Sequence, residues 1–207
     1  MDIFGTLFGS QARVKIIRLF LLNSEDVFDN AEISKRSKVT LKMVRKEVAL
    51  LEKVGMIKKK SAFKENASEK KSVSQEKKTR VQGWGLNNDF ELLTSLKNFI
   101  INTELMRESE IANKFKNAGK IKLLIVAGIF TQTDDSRVDL LIVGDELKKG
   151  AIENALHAVE AEVGKEISYA YFDTQEFIYR VGICDKFVRD VLDYPHKKLI
   201  NKLEIPL

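Results

Sequence analysis

"AGIFTQTDDSRVDLLIVGD", residues 127–145, decides how the C-terminal half of this chain is to be read. It continues the apolar run "IKLLIVA", turns at Gly128, passes through acidic residues and enters a second apolar run, "VDLLIV". Short apolar runs bounded by glycine and polar turn residues read as buried strands. Arg137 stands two residues before Asp139, so a cation interrupts an otherwise acidic turn.

Outward from this stretch the pattern alternates strand and helix. "KKGAIENALHAVEAEV" has helical character, "EISYAYF" reads as a third strand, and "DTQEFIYRV" opens a helix with Asp173 and Glu176 at capping-box spacing. Two further short helices are expected near 185–192 and 195–203. The sum is a small α/β domain with helices against a mixed sheet.

The N-terminal half has a different texture. "SQARVKIIRLFLLN" (10–23) carries Val14, Ile17 and Leu21 at helical spacing, with Ser10 as its cap. "NAEISKRSKV" (30–39) reads as a short second helix anchored by Ile33, and a turn at 37–39 follows it. Thr40 then opens a third helix, "TLKMVRKEVALLEKVG", which Gly55 ends. In that third helix Leu41, Val44, Val48 and Leu51 share one stripe, while Lys42, Arg45, Lys46 and Ala49 share the opposite one. "MIKKKSAF" and "TRVQGWGL" read as two strands around a polar, lysine-rich segment, with Trp84 as a packing residue at their base. "NNDFELLTSLKNFIINT" then places Phe90, Leu93, Leu96 and Ile100 on one helical face, with Asp89 as its candidate cap.

Charge divides along the same line. Residues 1–88 hold 19 Lys+Arg against 10 Asp+Glu, a net of +9, and residues 89–207 hold 16 against 20, a net of −4. A basic first half followed by an acidic second half points to two domains, the first of which meets a polyanion. The boundaries read as 1–88, a helical connection over 89–119, and 120–207. With 207 residues and 44% apolar content, both parts can bury a core. The longest apolar run, 123–127, is far too short for a bilayer span, and no signal peptide is visible at the start. Cys184 is the single cysteine, which fits a reducing cytoplasm, and His157 and His196 stand apart from it, so no metal site or cofactor is expected.

The stretch "LFGSQARVKIIRLF" through "AEISKRSKVTLKMVRKEVALLEKVGMIKKK" resembles the winged helix-turn-helix transcriptional regulators, over residues 6–87. The resemblance implies a third helix in the major groove of double-stranded DNA and a basic wing on the backbone. Thr40, Lys42, Arg45 and Lys46 are then the contacts from the helix. Lys58, Lys59, Lys60, Lys70, Lys71, Lys77, Lys78 and Arg80 are those from the wing.

Residues 121–194 resemble the polymerase-beta-like minimal nucleotidyltransferase fold. In that family a glycine–serine turn holds the triphosphate, and three carboxylates hold two magnesium ions. Here Gly128 matches the turn glycine, but Ile129 stands at the serine. Ser136 and Asp139 keep the flanks of the acidic pair, with Asp139 at its second aspartate and Arg137 at its first. Ser168 lies near the place of the third carboxylate. Gly128, Ser136, Arg137 and Asp139 thus outline a vestigial nucleotide pocket with no catalytic residues. Asp139 becomes a hydrogen-bond acceptor, for Arg137 or for the turn amides, and the turn could still hold an anion with help from Arg137. Asp134 and Asp135 read as solvated loop acids, and Arg180 with Asp185, or Arg189 with Asp193, as structural pairs.

The whole chain is similar to prokaryotic winged-helix regulators fused to a degenerate nucleotidyltransferase-like domain. That resemblance implies a cytoplasmic, homodimeric DNA-binding regulator, not bound to membrane, whose C-terminal domain dimerises or senses an unknown small molecule. The alternatives are an active nucleotidyltransferase with a DNA-binding arm, and a protein-interaction module.

Overall fold

The computed structural model describes residues 3–65, 78–101, 105–133 and 135–203. Within them the chain is a mixed α+β protein with two sheets. Its contacts divide it into two units, Met1–Ile100 and Ile101–Leu207, a division that falls inside the stretch 89–119.

The first unit runs α1 (Ile3–Leu7), α2 (Gln11–Leu22), α3 (Asn30–Ser37), α4 (Leu41–Lys53), β1 (Ile57–Glu65), β2 (Lys78–Leu86) and most of α5 (Leu93–Ile101). Ser10 caps α2, its hydroxyl oxygen accepting the Arg13 N–H at 3.1 Å. Val14, Ile17 and Leu21 are buried as their spacing predicts, and Ile16, Leu19 and Phe20 with them. Covered on more than one stripe, α2 is the central helix of the unit. Asp29 starts α3 with a full capping box: its carboxylate accepts from Glu32 N–H, and the Glu32 side chain accepts from Asp29 N–H. Ile33 is fully buried. The α3–α4 turn passes through Lys38 at φ 53°, and the Ser34 hydroxyl donates to the Val39 carbonyl at 2.7 Å.

On α4, Val44, Val48 and Leu51 face the core. Leu41, expected on the same stripe, is 39% exposed, and Glu47 is buried instead, at 1%. The packed face is rotated toward Glu47 because Ser10 and Arg13 of α2 meet the helix there. Thr40 has extended N-cap backbone but its side chain makes no capping bond. After Gly55, β1 and β2 pair antiparallel from Ile57↔Leu86 to Glu65↔Lys78, with Met56, Ile57 and Leu86 buried at the base. Phe28 bridges to Trp84 on the other side of β2, through N–H···O bonds of 2.9 and 2.8 Å in each direction. Gly83 is required beside this bridge, since a Cβ there would press on the Phe28 carbonyl. The helix expected from Asp89 begins only at Leu93, and Asp89 pairs with Lys58.

The second unit runs α6 (Glu108–Lys114), β3 (Lys120–Val126), β4 (Leu140–Asp145), α7 (Lys149–Val163), β5 (Tyr169–Phe172), α8 (Thr174–Gly182), α9 (Lys186–Asp193) and β6 (Lys197–Asn201). The sheet order is β5-β4-β3-β6, with β4/β5 parallel and the other two pairs antiparallel. Leu123, Ile125, Leu141 and Val143 pack with Phe177 of α8 and Val188 and Val191 of α9. Leu124, Val126, Leu140 and Ile142 alternate with them and are equally buried, so both faces of the sheet are covered. The crossover helix α7 buries Ile152, Leu156 and Val159.

Two expectations are corrected here. Residues 195–203 were expected as a helix but form β6, with Ile200 opposite Leu124 and Lys198 opposite Ile125. A segment this short gains little as an isolated helix, whereas the edge of β3 offers unpaired backbone groups. At α8 only half a capping box forms. Asp173 accepts from Glu176 N–H at 2.7 Å, while the Glu176 carboxylate takes two guanidinium N–H groups of Arg180.

Candidate functional site

In the first unit the cationic stripe of α4 stands clear of the core. Lys42, Arg45, Lys46 and Ala49 are all exposed, and so is Thr40 at the start of the helix. The rigidity behind this face comes from Val44, Val48 and Leu51, and from Glu47, whose two carboxylate oxygens accept from Ser10 Oγ at 2.9 Å and Arg13 Nε at 2.8 Å. Sequence reasoning passed over Glu47. The available signal was its position, three residues after Val44 and four before Leu51, on the inward side of the helix.

The hairpin does not present its lysines as one set. Alternation along β1 puts Lys59 on the face of its partner Trp84, with Nζ 5.5 Å from the ring centroid. Lys58 and Lys60 take the other face, and Lys58 Nζ lies 3.1 Å from the Asp89 carboxylate. Lys59, Lys60, Ser61, Gln82, Gly83 and Trp84 line a concavity of about 430 Å³. Lys78 and Arg80 lie on β2, opposite Glu65 and Phe63, but their side chains are outside the described residues. Lys70, Lys71 and Lys77 also lie outside them.

In the second unit the turn after β3 is organised by Asp139. Gly128 has φ +52°, and a Cβ there would collide with Asp139 Oδ1. That same oxygen accepts the Ile129 N–H at 2.9 Å. The other, Oδ2, accepts both the N–H and the hydroxyl of Ser168, at 2.9 and 2.7 Å. The Gly128 carbonyl closes the turn by accepting from the N–H groups of Thr131 and Thr133, both at 3.0 Å. Of the two partners open to Asp139, the turn amides take it. Arg137 turns away and binds Asp190, Nε to Oδ2 at 2.8 Å. The Ser136 hydroxyl donates to the Val138 carbonyl at 2.6 Å.

This arrangement does not fit a pair of magnesium ions. Of the three carboxylates that such a site would need, one is present, and both of its oxygens accept from protein donors. Arg137 brings a cation to the turn, and Ser168 a hydroxyl where an acid would be needed. Among the described residues no three His, Cys, Asp or Glu side chains gather at ligand spacing. Asp135 is exposed in the loop, and Asp134 lies outside the described residues.

The flanking charges are structural pairs. Arg180 bridges Glu176 and Asp185 and lies 4.8 Å from the Phe172 ring, and Arg189 approaches Asp193 at 3.9 Å. Lys122 binds Asp145 at 2.8 Å, and that ion pair holds the Asp145 carboxyl below its usual range. Among the described residues no helix is long and apolar enough to cross a membrane. Set against known proteins, the chain matches no family model, no curated protein and no solved structure.

Proposed function

We propose that this chain is a DNA-binding transcriptional regulator: a winged helix-turn-helix unit followed by a nucleotidyltransferase-like domain without transfer chemistry, serving dimerisation or sensing. One observation carries the reading. α4 buries Val44, Glu47, Val48 and Leu51 and exposes Lys42, Arg45 and Lys46 on the side away from the core. A helix braced on one face and cationic on the other suits the major groove, where Arg and Lys bond guanine edges and phosphates.

The rest of the unit supports it. α3 and α4 are joined by a tight turn, and the β1–β2 hairpin follows, with Lys58, Lys59 and Lys60 at its base. Net charge of +9 over residues 1–88 supplies the sequence-independent attraction to phosphate. Asp139 weighs against an active transferase, because its carboxylate already accepts three hydrogen bonds that hold the turn, and Arg137 and Ser168 stand where the other two acids would be needed.

Selection of bound duplexes from a random pool by the purified chain tests the reading. Enrichment of a palindromic site by the wild type, and its loss when Lys42, Arg45 and Lys46 are changed to alanine, is the expected result. If the wild type enriches no sequence, the regulator reading fails.

A further inference from the structure

Among the described residues of the first unit, the most buried ionisable side chain lies on the helix that would read DNA, on the face turned toward the core. Glu47 is 1% exposed. Its Oε1 accepts from the Ser10 hydroxyl and its Oε2 from Arg13 Nε. Ser10 is doubly engaged, since its oxygen also caps α2 by accepting the Arg13 N–H. Arg13 completes the set through Nη1, which donates to the Phe8 carbonyl at 2.8 Å. One carboxylate thus ties α4 to the first turn of α2 and, through Arg13, to the segment before it.

Stability alone is a poor reason for this arrangement. An apolar residue at the same place would avoid desolvating two charges, and such replacements are often neutral or stabilising. Geometry is a better one. The apolar face of α4 is narrow, consisting of Val44, Val48 and Leu51, and apolar contact has no directional preference. Two hydrogen bonds from fixed donors do. They set both the rotation of α4 about its axis and its slide along α2. For side-chain tips about 6 Å from the helix axis, a rotation of about 20° moves them by about 2 Å. Hydrogen bonds tolerate only a few tenths of an ångström, so such a rotation would break base contacts while leaving long lysines within reach of phosphates.

We infer that Glu47, with Ser10 and Arg13, is the positioning lock of α4: it sets the azimuth at which Lys42, Arg45 and Lys46 meet base edges, and so governs sequence discrimination more than affinity. The inference rests on the DNA-binding reading, but its structural half can be measured without DNA.

The experiment uses the full chain with Glu47→Leu, Glu47→Gln, Arg13→Met and the Glu47→Leu/Arg13→Met pair. Residual dipolar couplings of the free proteins report the orientation of α4 against α2. Binding to the selected duplex and to a scrambled duplex gives the discrimination ratio. The expected result is a folded Glu47→Leu protein with α4 reoriented or spread over several orientations. Its binding to scrambled DNA should keep the wild-type salt dependence. Its discrimination ratio should fall by about tenfold, the scale of one good base contact. Arg13→Met should do the same, and the pair should be no worse than the worse single change. Glu47→Gln keeps the shape and covers the case in which leucine prevents folding.

Wild-type orientation of α4 in the variants overturns the lock. So does an unchanged discrimination ratio in a variant whose α4 has turned. If the wild type selects no site, the DNA-binding reading falls on that result, and the couplings alone still decide whether Glu47 holds the helix.

Discussion

Asp139 and Ser168 hold each other through main chain and side chain together. The Asp139 N–H donates to the Ser168 carbonyl at 2.8 Å, and Ser168 returns its own N–H and hydroxyl to Asp139 Oδ2. With Ile129 N–H on Oδ1, the carboxylate joins β4, the approach to β5 and the turn after β3. In an acid-lined metal site a second carboxylate near this position would repel Asp139 unless a cation lay between them. A serine turns that requirement into a closed set of hydrogen bonds. The Asp139 carboxylate is thereby part of the fold's support.

Asp139→Ala should therefore destabilise the second unit even though the side chain is only half-buried. It leaves the Ile129 and Ser168 amides without their acceptor, at a cost of about 1–3 kcal/mol. Native-state hydrogen exchange at Ile129 and Leu140 should report the loss, while amides of α2 and α4 keep their protection.

Gly128→Ala should be costly for two independent reasons. The backbone there is left-handed, and the added Cβ would strike Asp139 Oδ1. Strain of this type is worth about 1–3 kcal/mol before the collision is counted. Denaturant unfolding followed by far-UV circular dichroism should show the second unit melting earlier.

Metal affinity at this turn should require added acids. Wild type and Asp139→Asn are expected to show no Mn²⁺-dependent broadening of amide signals around Leu140. The pair Arg137→Asp/Ser168→Asp, which places two further carboxylates beside Asp139, should show it. Broadening in the wild type would mean that loop acids hold a metal after all.

Changing Lys42, Arg45 and Lys46 together to alanine should leave the thermal midpoint close to that of the wild type, because all three are exposed. DNA affinity should fall, and the slope of log affinity against log salt should become shallower by about 0.9 for each phosphate contact removed. Titrations over a range of salt concentrations measure both.

Lys122 binds the Asp145 carboxylate and lowers its pKa. A carboxyl with a depressed folded value stabilises the fold fully above its unfolded value of about 4. That contribution is lost as pH falls through the lowered folded value. Lys122→Met should raise the Asp145 titration toward the ordinary carboxylate range, visible in its side-chain carboxyl carbon shift, and should remove this contribution to the acid limb of the stability profile.

Much of this was legible in the chain itself. Helical spacing and the cap at Ser10 located α2, and the same logic located the buried faces of α3 and most of α4, because helix periodicity and capping are local properties. The apolar runs of β3 and β4 were equally plain. Arg137 and Ser168 were legible as identities, but the partners they take, Asp190 and Asp139, were not. At the edges the local reading failed. Leu41 keeps the period of a buried stripe but lies where α4 leaves the core, and Glu47 breaks the polarity pattern yet is buried.

What the sequence by itself determined was therefore the inventory: most of the helices and strands, which face of α4 is cationic, and which side chains stand in and around the turn after β3. Tertiary structure alone decided the partners. Arg13 meets Glu47 across 34 residues, Ser168 meets Asp139 across 29, and Arg137 meets Asp190 across 53. Phe28 reached Trp84, and 197–201 became a strand, only because open sheet edges were there to receive them. Such pairings leave no period in the sequence. They depend on which donors and acceptors burial brings together, and burial is a property of the packed whole.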